Sequence, residues 1–252
     1  MYRNESLLWQ SVRVKITMQD SFNMAPVAVI HSPYKEKFAI PRQPNLVSAA
    51  HGKIELLLDC NQSELIRDLE QHSHLWLLFV FHGTIERGWK PLVKAPRLGG
   101  NKKTGVFATR STHRPNPIGM SVVKLEGISR INDNLAIDIS GLDLLDGTPI
   151  IDIKPYIPYS DVVVDASSQM APDAQSSSLT INFSDSALQQ LAPLTTQYPQ
   201  LQTFIEQVLS QDPRPAYRKK SNDTQEYGMS LYDLNIRWQI QGNDCMVLSI
   251  SQ

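Results

Sequence analysis

Residues 106–120 read Val-Phe-Ala-Thr-Arg-Ser-Thr-His-Arg-Pro-Asn-Pro-Ile-Gly-Met. Pro115 and Pro117 fix φ and withhold two backbone donors, so this stretch can neither continue a helix nor sit in the centre of a sheet. It reads as a short apolar strand that breaks into a loop carrying Arg110, Ser111, Thr112, His113, Arg114 and Asn116. Gly119 then lets the backbone turn into a strand at 121–125. A loop stiffened in this way holds polar side chains in place, as a binding or catalytic loop requires. An ordinary proline-rich connection has the same local signature, so the surroundings must decide.

Charge is the first of these. The chain is near neutral, with 24 Lys and Arg against 25 Asp and Glu, but the charges are segregated. Residues 87–114 hold eight cations, Arg87, Lys90, Lys94, Arg97, Lys102, Lys103, Arg110 and Arg114, and none of the carboxylates. Such a block in an otherwise acidic chain is the footprint expected for a polyanion, although a charge run also serves as a solvated face. Trp89, Phe107 and His113 lie inside it, and Pro91, Pro96 and Gly99-Gly100 keep it from being one helix. These features favour a nucleic-acid surface.

At 252 residues and 41% hydrophobic content, the chain can bury a sizeable core in one or two domains. Its two cysteines, Cys60 and Cys245, lie far apart and form no C-x-x-C pair, so neither a disulfide framework nor a metal site is expected. No apolar run reaches the ~20 residues that span a bilayer, and the amino terminus lacks a signal-peptide core. The expectation is a cytoplasmic protein without membrane segments, in which 1–25 form an extension outside the fold.

In order, 26–30 reads as a strand followed by a turn at His31-Ser32-Pro33-Tyr34. Pro41 favours an extended Ile40 and presents Arg42 and Gln43 from a loop. Arg42 can fork onto a carboxylate, and Gln43 can donate and accept; two exposed polar residues are the alternative. A second strand is expected at 53–58. Asn61 with Glu64 resembles a capping box opening a short helix with Leu65, Ile66 and Leu69. Residues 75–81 are apolar without alternation, the mark of a strand covered on both faces. His82-Gly83 ends it, and His82 reads either as a satisfied structural group or as a pocket wall.

Strands at 121–128 and 135–139 join through Asn132-Asp133-Asn134, a hairpin signal. Asp146-Gly147 marks a tight turn before a strand at 150–154. Asp143 and Asp146 are three apart, suited to a cationic ligand or a general base, while Asp146 also fits the bland role of stabilising its own turn. Residues 166–178 read as a linker. Beyond it, 179–252 form a smaller α+β unit with a strand at 179–183, helices near 186–191 and 201–209, and two strands about Gly242-Asn243-Asp244. Residues 212–220, Asp-Pro-Arg-Pro-Ala-Tyr-Arg-Lys-Lys, are rigid, cationic and aromatic. They suit phosphate contact and base stacking, or simply stop a helix.

No G-x-G-x-x-G follows a strand, so a dinucleotide site is unsupported. The stretch 98–105 misses the P-loop spacing, and neither H-E-x-x-H nor G-x-S-x-G occurs. Many short strands and frequent turn signals make the chain mainly β and point to a β-barrel over 26–165.

Pro41-Arg42-Gln43, Pro96-Arg97-Leu98-Gly99-Gly100-Asn101, the stretches 107–119 and 143–152, and Asp212 through Arg218 together resemble the TsaA-like family, the TrmO-type tRNA methyltransferases. The resemblance runs in order from Pro26 onward. It implies a single-sheeted TsaA-like β-barrel binding S-adenosylmethionine, a smaller α+β C-terminal domain that helps hold the tRNA anticodon stem-loop, and a homodimer. The implied reaction methylates the exocyclic amine of threonylcarbamoyl-adenosine at position 37 of a threonine tRNA.

Carried over by motif, the methyl donor contacts Pro41, Arg42, Gln43, His82, Gly83, Arg110, Met120, Asp146, Gly147, Thr148, Pro149 and Ile150. Gly83 stands where the family often has a larger polar residue, so only its backbone is expected to contribute. Arg42 or Arg110 can pair a carboxylate, and Met120 can pack on adenine. The acceptor nitrogen is a poor nucleophile because its lone pair is delocalised, and catalysis is expected to rest mostly on positioning. Asp146 and His113 are the candidates for base. Arg97, Lys102, Lys103, Arg114, Arg214 and Arg218 are assigned to phosphates and Tyr217 to base stacking. Two other classes stay open from sequence: a non-catalytic RNA-binding barrel, and a methyltransferase of the same fold acting elsewhere.

Overall fold

Alternation between buried and half-exposed positions organises the first half of the chain. In a computed structural model describing residues 21–94, 103–170, 179–214 and 225–252, six strands place one side chain in two inward. They are β1 (Ala28–His31), β2 (His51–Leu56), β3 (His74–Val80), β6 (Ile118–Ile131), β7 (Asn134–Ser140) and β8 (Pro149–Pro155). Hydrogen-bonded in the order β1-β2-β7-β6-β3-β8 and back to β1, every pair antiparallel, they form a sheet that closes on itself. Closure removes the free edges that an open sheet leaves unpaired. Ile30, Ile54, Leu75, Leu77, Val123 and Ile137 fill the interior with no measurable exposure. A separate hairpin of β4 (Leu92–Lys94) and β5 (Lys103–Gly105) stands in the basic block.

Several local expectations are corrected. Residues 106–108 form a 3-10 turn rather than a strand. The strand after the proline loop begins at Ile118, so Gly119 lies inside β6 and directly opposite Phe79. Its φ is not positive. Glycine is needed there for room, because a Cβ would stand 2.4 Å from the Phe79 ring and 2.8 Å from that of Phe81. The apolar β3 is not covered on both faces: Leu75, Leu77 and Phe79 are buried while Trp76, Leu78 and Val80 are half-exposed on the outside. The expected capping box is absent, and 3-10 turns occupy Leu58–Cys60, Ser63–Ile66 and Leu69–Gln71. The Asn61 side chain accepts from the Leu135 backbone N–H (2.8 Å) and donates to Asn134 (2.9 Å), which draws it away from the helix start.

A short helix, α1 (Pro158–Asp161), follows the ring. The C-terminal region is α+β, with helices α2 (Asp185–Leu194) and α3 (Leu201–Ser210) beside a four-stranded sheet. That sheet comprises β9 (Thr180–Phe183), β10 (Gln225–Leu231), β11 (Leu234–Gln241) and β12 (Asp244–Ser251), in the order β10-β11-β12-β9 with β12 and β9 parallel. Ser184 caps α2 by accepting from the Ala187 N–H at 3.1 Å. The expected pair of strands is a run of three, because Tyr232 adopts a left-handed conformation, φ 56°, in a second hairpin turn ahead of Gly242.

The two regions share one hydrophobic core. Fully buried Tyr34, from the loop after β1, meets the Phe204 ring of α3 at 5.8 Å. Gln207 accepts from the Ala49 N–H at 2.9 Å, and the Tyr232 N–H donates to Pro33 at 2.7 Å. No helix among the described residues is long and apolar enough to cross a membrane.

Candidate active site

Antiparallel closure sends the chain after β1, β3 and β7, and the chain before β6 and β8, to one end of the ring. Four segments meet there, 37–43, 79–84, 109–121 and 143–148, around a cavity of about 500 Å³. The proline loop is fastened by its neighbours. Phe81 donates its backbone N–H to Pro117 at 2.7 Å, and the Thr84 hydroxyl lies 3.1 Å from the Phe81 carbonyl and 3.4 Å from that of Thr112. Pro115 and Pro117 supply no donors, so the loop is held through the carbonyls of Pro117 and Thr112.

Of the side chains assigned by motif, Pro41, Arg42, Gln43, His82, Gly83, Arg110, Met120 and Thr148 all line the cavity. Arg110 donates to the Gln43 side-chain carbonyl across a gap of 67 residues. Gly83 contributes its backbone: its carbonyl accepts from the Lys37 ammonium at 3.2 Å. Met120 is 53% exposed at the mouth. Phe79, Phe81, Ile40 and Leu144 form apolar walls that motif reasoning left out; the run at 75–81 carries no alternation in its sequence that would have singled out Phe79.

Asp146, Gly147, Pro149 and Ile150 stand behind the cavity rather than on its surface. Asp146 accepts from the Ser32 N–H at 2.8 Å through one oxygen and from the Lys35 ammonium at 2.7 Å through the other. Its carboxylate therefore ties the turn to the loop after β1, a clamp completed by Gly147 N–H to Ile30 O at 2.9 Å and Ile30 N–H to Thr148 O at 3.1 Å. Gly147 needs its φ of 74° to make that turn. His113 also lies off the cavity wall, its ring nitrogen 3.3 Å from the Gly88 carbonyl.

Among the described residues Asp143 is the one carboxylate lining the cavity, against the cations Lys37, Arg42, Arg110 and Arg114. The Ser121 hydroxyl donates to it. Burial raises its pKa to about 6, against the opposing pull of Ser121, its own backbone N–H and Arg110. Sequence reasoning had Asp143 only as half of a pair with Asp146. Nothing local separates the two; their different neighbours, Ser121 and Ser32, come from distant strands and loops.

The cations expected to meet phosphate divide sharply. Lys103 is exposed on β5, as are Lys90 and Lys94 nearby. Arg114 donates to the Thr109 carbonyl at 2.6 Å and stands 5.8 Å from the centre of the Phe107 ring, which is 79% exposed. Arg214 forks onto Asp212 at 2.9 and 3.2 Å, with both side chains only 10% exposed. Arg97, Lys102, Tyr217 and Arg218 lie outside the described residues. Among the described residues no group of three or more His, Cys, Asp or Glu is placed to hold a metal ion.

Comparison with known proteins adds independent findings. Residues 29–162 match the family described as the tRNA-methyltransferase O N-terminal domain, and residues 176–252 match the TrmO C-terminal domain. A tRNA (adenine(37)-N6)-methyltransferase of Escherichia coli strain K12 is 50% identical over 220 residues, 87% of this chain and 94% of that protein. An enzyme of the same name from Eikenella corrodens is 41% identical over 180 residues, 71% of this chain and 96% of that one. A crystal structure of TrmO from Pseudomonas aeruginosa matches with a TM-score of 0.78 at 39% identity, covering 92% of this chain and 99% of the other.

Proposed function

The chain belongs to the tRNA-methyltransferase O family, and we propose that it transfers the methyl group of S-adenosylmethionine to the exocyclic N6 of adenine 37 in tRNA. One observation carries this reading: a single cavity at the end of the ring gathers eight residues, scattered from Pro41 to Thr148, that the family motif assigns to the methyl donor. The residues fit that ligand. A volume of about 500 Å³ falls within the range for small-molecule sites, roughly 300–1,000 Å³. Arg42 and Arg110 can take a carboxylate, and Phe79, Phe81 and Leu144 offer apolar surface to an adenine ring. S-adenosylmethionine supplies the transferable methyl group; the protein binds it, aligns the acceptor and excludes water.

The finer reading is a single-sheeted barrel over 26–165, a linker over 166–178 and a tRNA-assisting unit over 179–252, with 1–25 outside the fold. Residues 1–20, 95–102, 171–178 and 215–224 of these lie outside the described residues. The acceptor is threonylcarbamoyl-adenosine in the anticodon loop of a threonine tRNA. Exposed Phe107 and Trp89 beside Lys90, Lys94 and Lys103 give stacking surface next to cations, the combination that holds single-stranded RNA. The outer face, where half-exposed Trp76 pairs with half-exposed Val122, is the candidate contact for the second copy of a homodimer.

Mass spectrometry of tRNA nucleosides after incubation with protein and S-adenosylmethionine tests the proposal. A 14-dalton increase confined to the modified adenosine at position 37, about the mass of one CH₂, is expected. Unmodified mass in every nucleoside, with the donor demonstrably bound, would overturn it.

A further inference from the structure

We propose that Asp143 is the proton acceptor for the methylated nitrogen. The inference rests on the methyltransferase reading above and deepens it by assigning a catalytic group. An adenine N6 has its lone pair delocalised into the ring, so it reacts well only if its proton leaves as the new bond forms. Within the cavity the described residues present one carboxylate, Asp143, and its hydrogen-bond donor is the Ser121 hydroxyl rather than a cation at bonding distance. Asp146, the other acid of the 141–148 segment, has both oxygens engaged outside the cavity.

The step balances without a further reagent. Asp143 takes the N6 proton while the nitrogen lone pair forms the bond to the methyl carbon. The carbon–sulfur bond breaks with its electron pair staying on sulfur, which turns the cationic sulfonium into a neutral thioether. Asp143 is left as a neutral acid and returns its proton to solvent through the open mouth.

The groups facing Asp143 are Ser121 from β6, Arg110 from the proline loop, and the buried Tyr34 hydroxyl, which has no hydrogen-bond partner among the described residues and feels the Asp143 charge. Lys37, Arg42, His82 and Arg114 line the remaining wall. Burial sets the carboxyl near 6, so Asp143 is ionised at neutral pH yet more basic than an ordinary carboxylate.

Single-turnover methyl transfer, at saturating donor and tRNA from pH 5 to 8.5, tests the assignment with the wild type and Asp143→Asn. The wild-type rate should fall about tenfold per pH unit below the Asp143 pKa. Asp143→Asn should be slower by about 10²–10⁴-fold and lose that acid limb, with donor affinity by calorimetry unchanged. His82 remains in the variant, so a persistent acid limb would overturn the assignment, as would an undiminished rate. Carbon NMR of the Asp143 carboxyl in the wild type gives a readout free of catalysis and of any folding defect in the variant. A midpoint near 6 supports the assignment and an ordinary carboxylate midpoint contradicts it. Failure of the wild type to bind the donor would strike the methyltransferase reading itself.

Discussion

The Ser121 hydroxyl donates to the Asp143 carboxylate, joining the second inward position of β6 to the segment that leads into β8. The contact holds a charged group where water is scarce, and its cost is measurable. Burial raises the carboxyl from 3.8 to about 6, so the ionised form is disfavoured in the folded protein. The stability linked to this group is present in full below pH 4 and is lost as pH rises through 6. Asp143→Asn carries no charge and should therefore melt higher than the wild type above pH 6, by about 2–3 kcal/mol. The difference should vanish below pH 4. Thermal melts at pH 4 and pH 8 check this; an equal effect at both would show that the carboxyl is not perturbed.

Gly119 tests the packing beneath the cavity. Its Cα lies under the Phe79 ring, which meets Phe81 edge-on at 5.3 Å. Gly119→Ala forces those rings apart and should cost about 1–3 kcal/mol, while weakening donor binding because all three residues line the cavity. Unchanged melting and unchanged binding together would contradict the geometry.

The two kinds of cation make opposite predictions. Arg214→Gln removes the forked ion pair to the buried Asp212 carboxylate and should cost about 1.5–3 kcal/mol, with the salt dependence of tRNA binding unaltered. Changing exposed Lys90, Lys94 and Lys103 to Gln should leave melting intact and reduce the slope of log K against log salt by about two. Denaturation and filter binding over a salt series separate these outcomes, and a reversed pattern would reject the division.

Legibility in the sequence followed the range of the interaction. The hairpin at 131–134 and the positions of most strands were readable, because alternation and turn residues act locally. The proline loop was readable as rigid for the same reason. Asn61 misled because its sequence neighbours resemble a capping box, whereas its partners are Asn134 and Leu135. The run at 75–81 misled because its outward residues are as apolar as its inward ones. The site residues Arg42, Gln43 and Arg110 came from family motifs, while their convergence depends on ring closure and has no local signal. Asp143 differs from Asp146 only through Ser121, Ser32 and Lys35, none of them adjacent in the chain.

Titration of S-adenosylmethionine into the purified protein by calorimetry bears most directly on the central claim that the cavity at the end of the ring holds the methyl donor. The wild type should bind at one site per chain. Arg110→Ala, which removes a forked carboxylate partner and the contact to Gln43, should weaken binding by about 10- to 100-fold, the ~1.5–3 kcal/mol of a charged hydrogen bond. Binding undiminished in Arg110→Ala, or no heat with the wild type, would contradict the account.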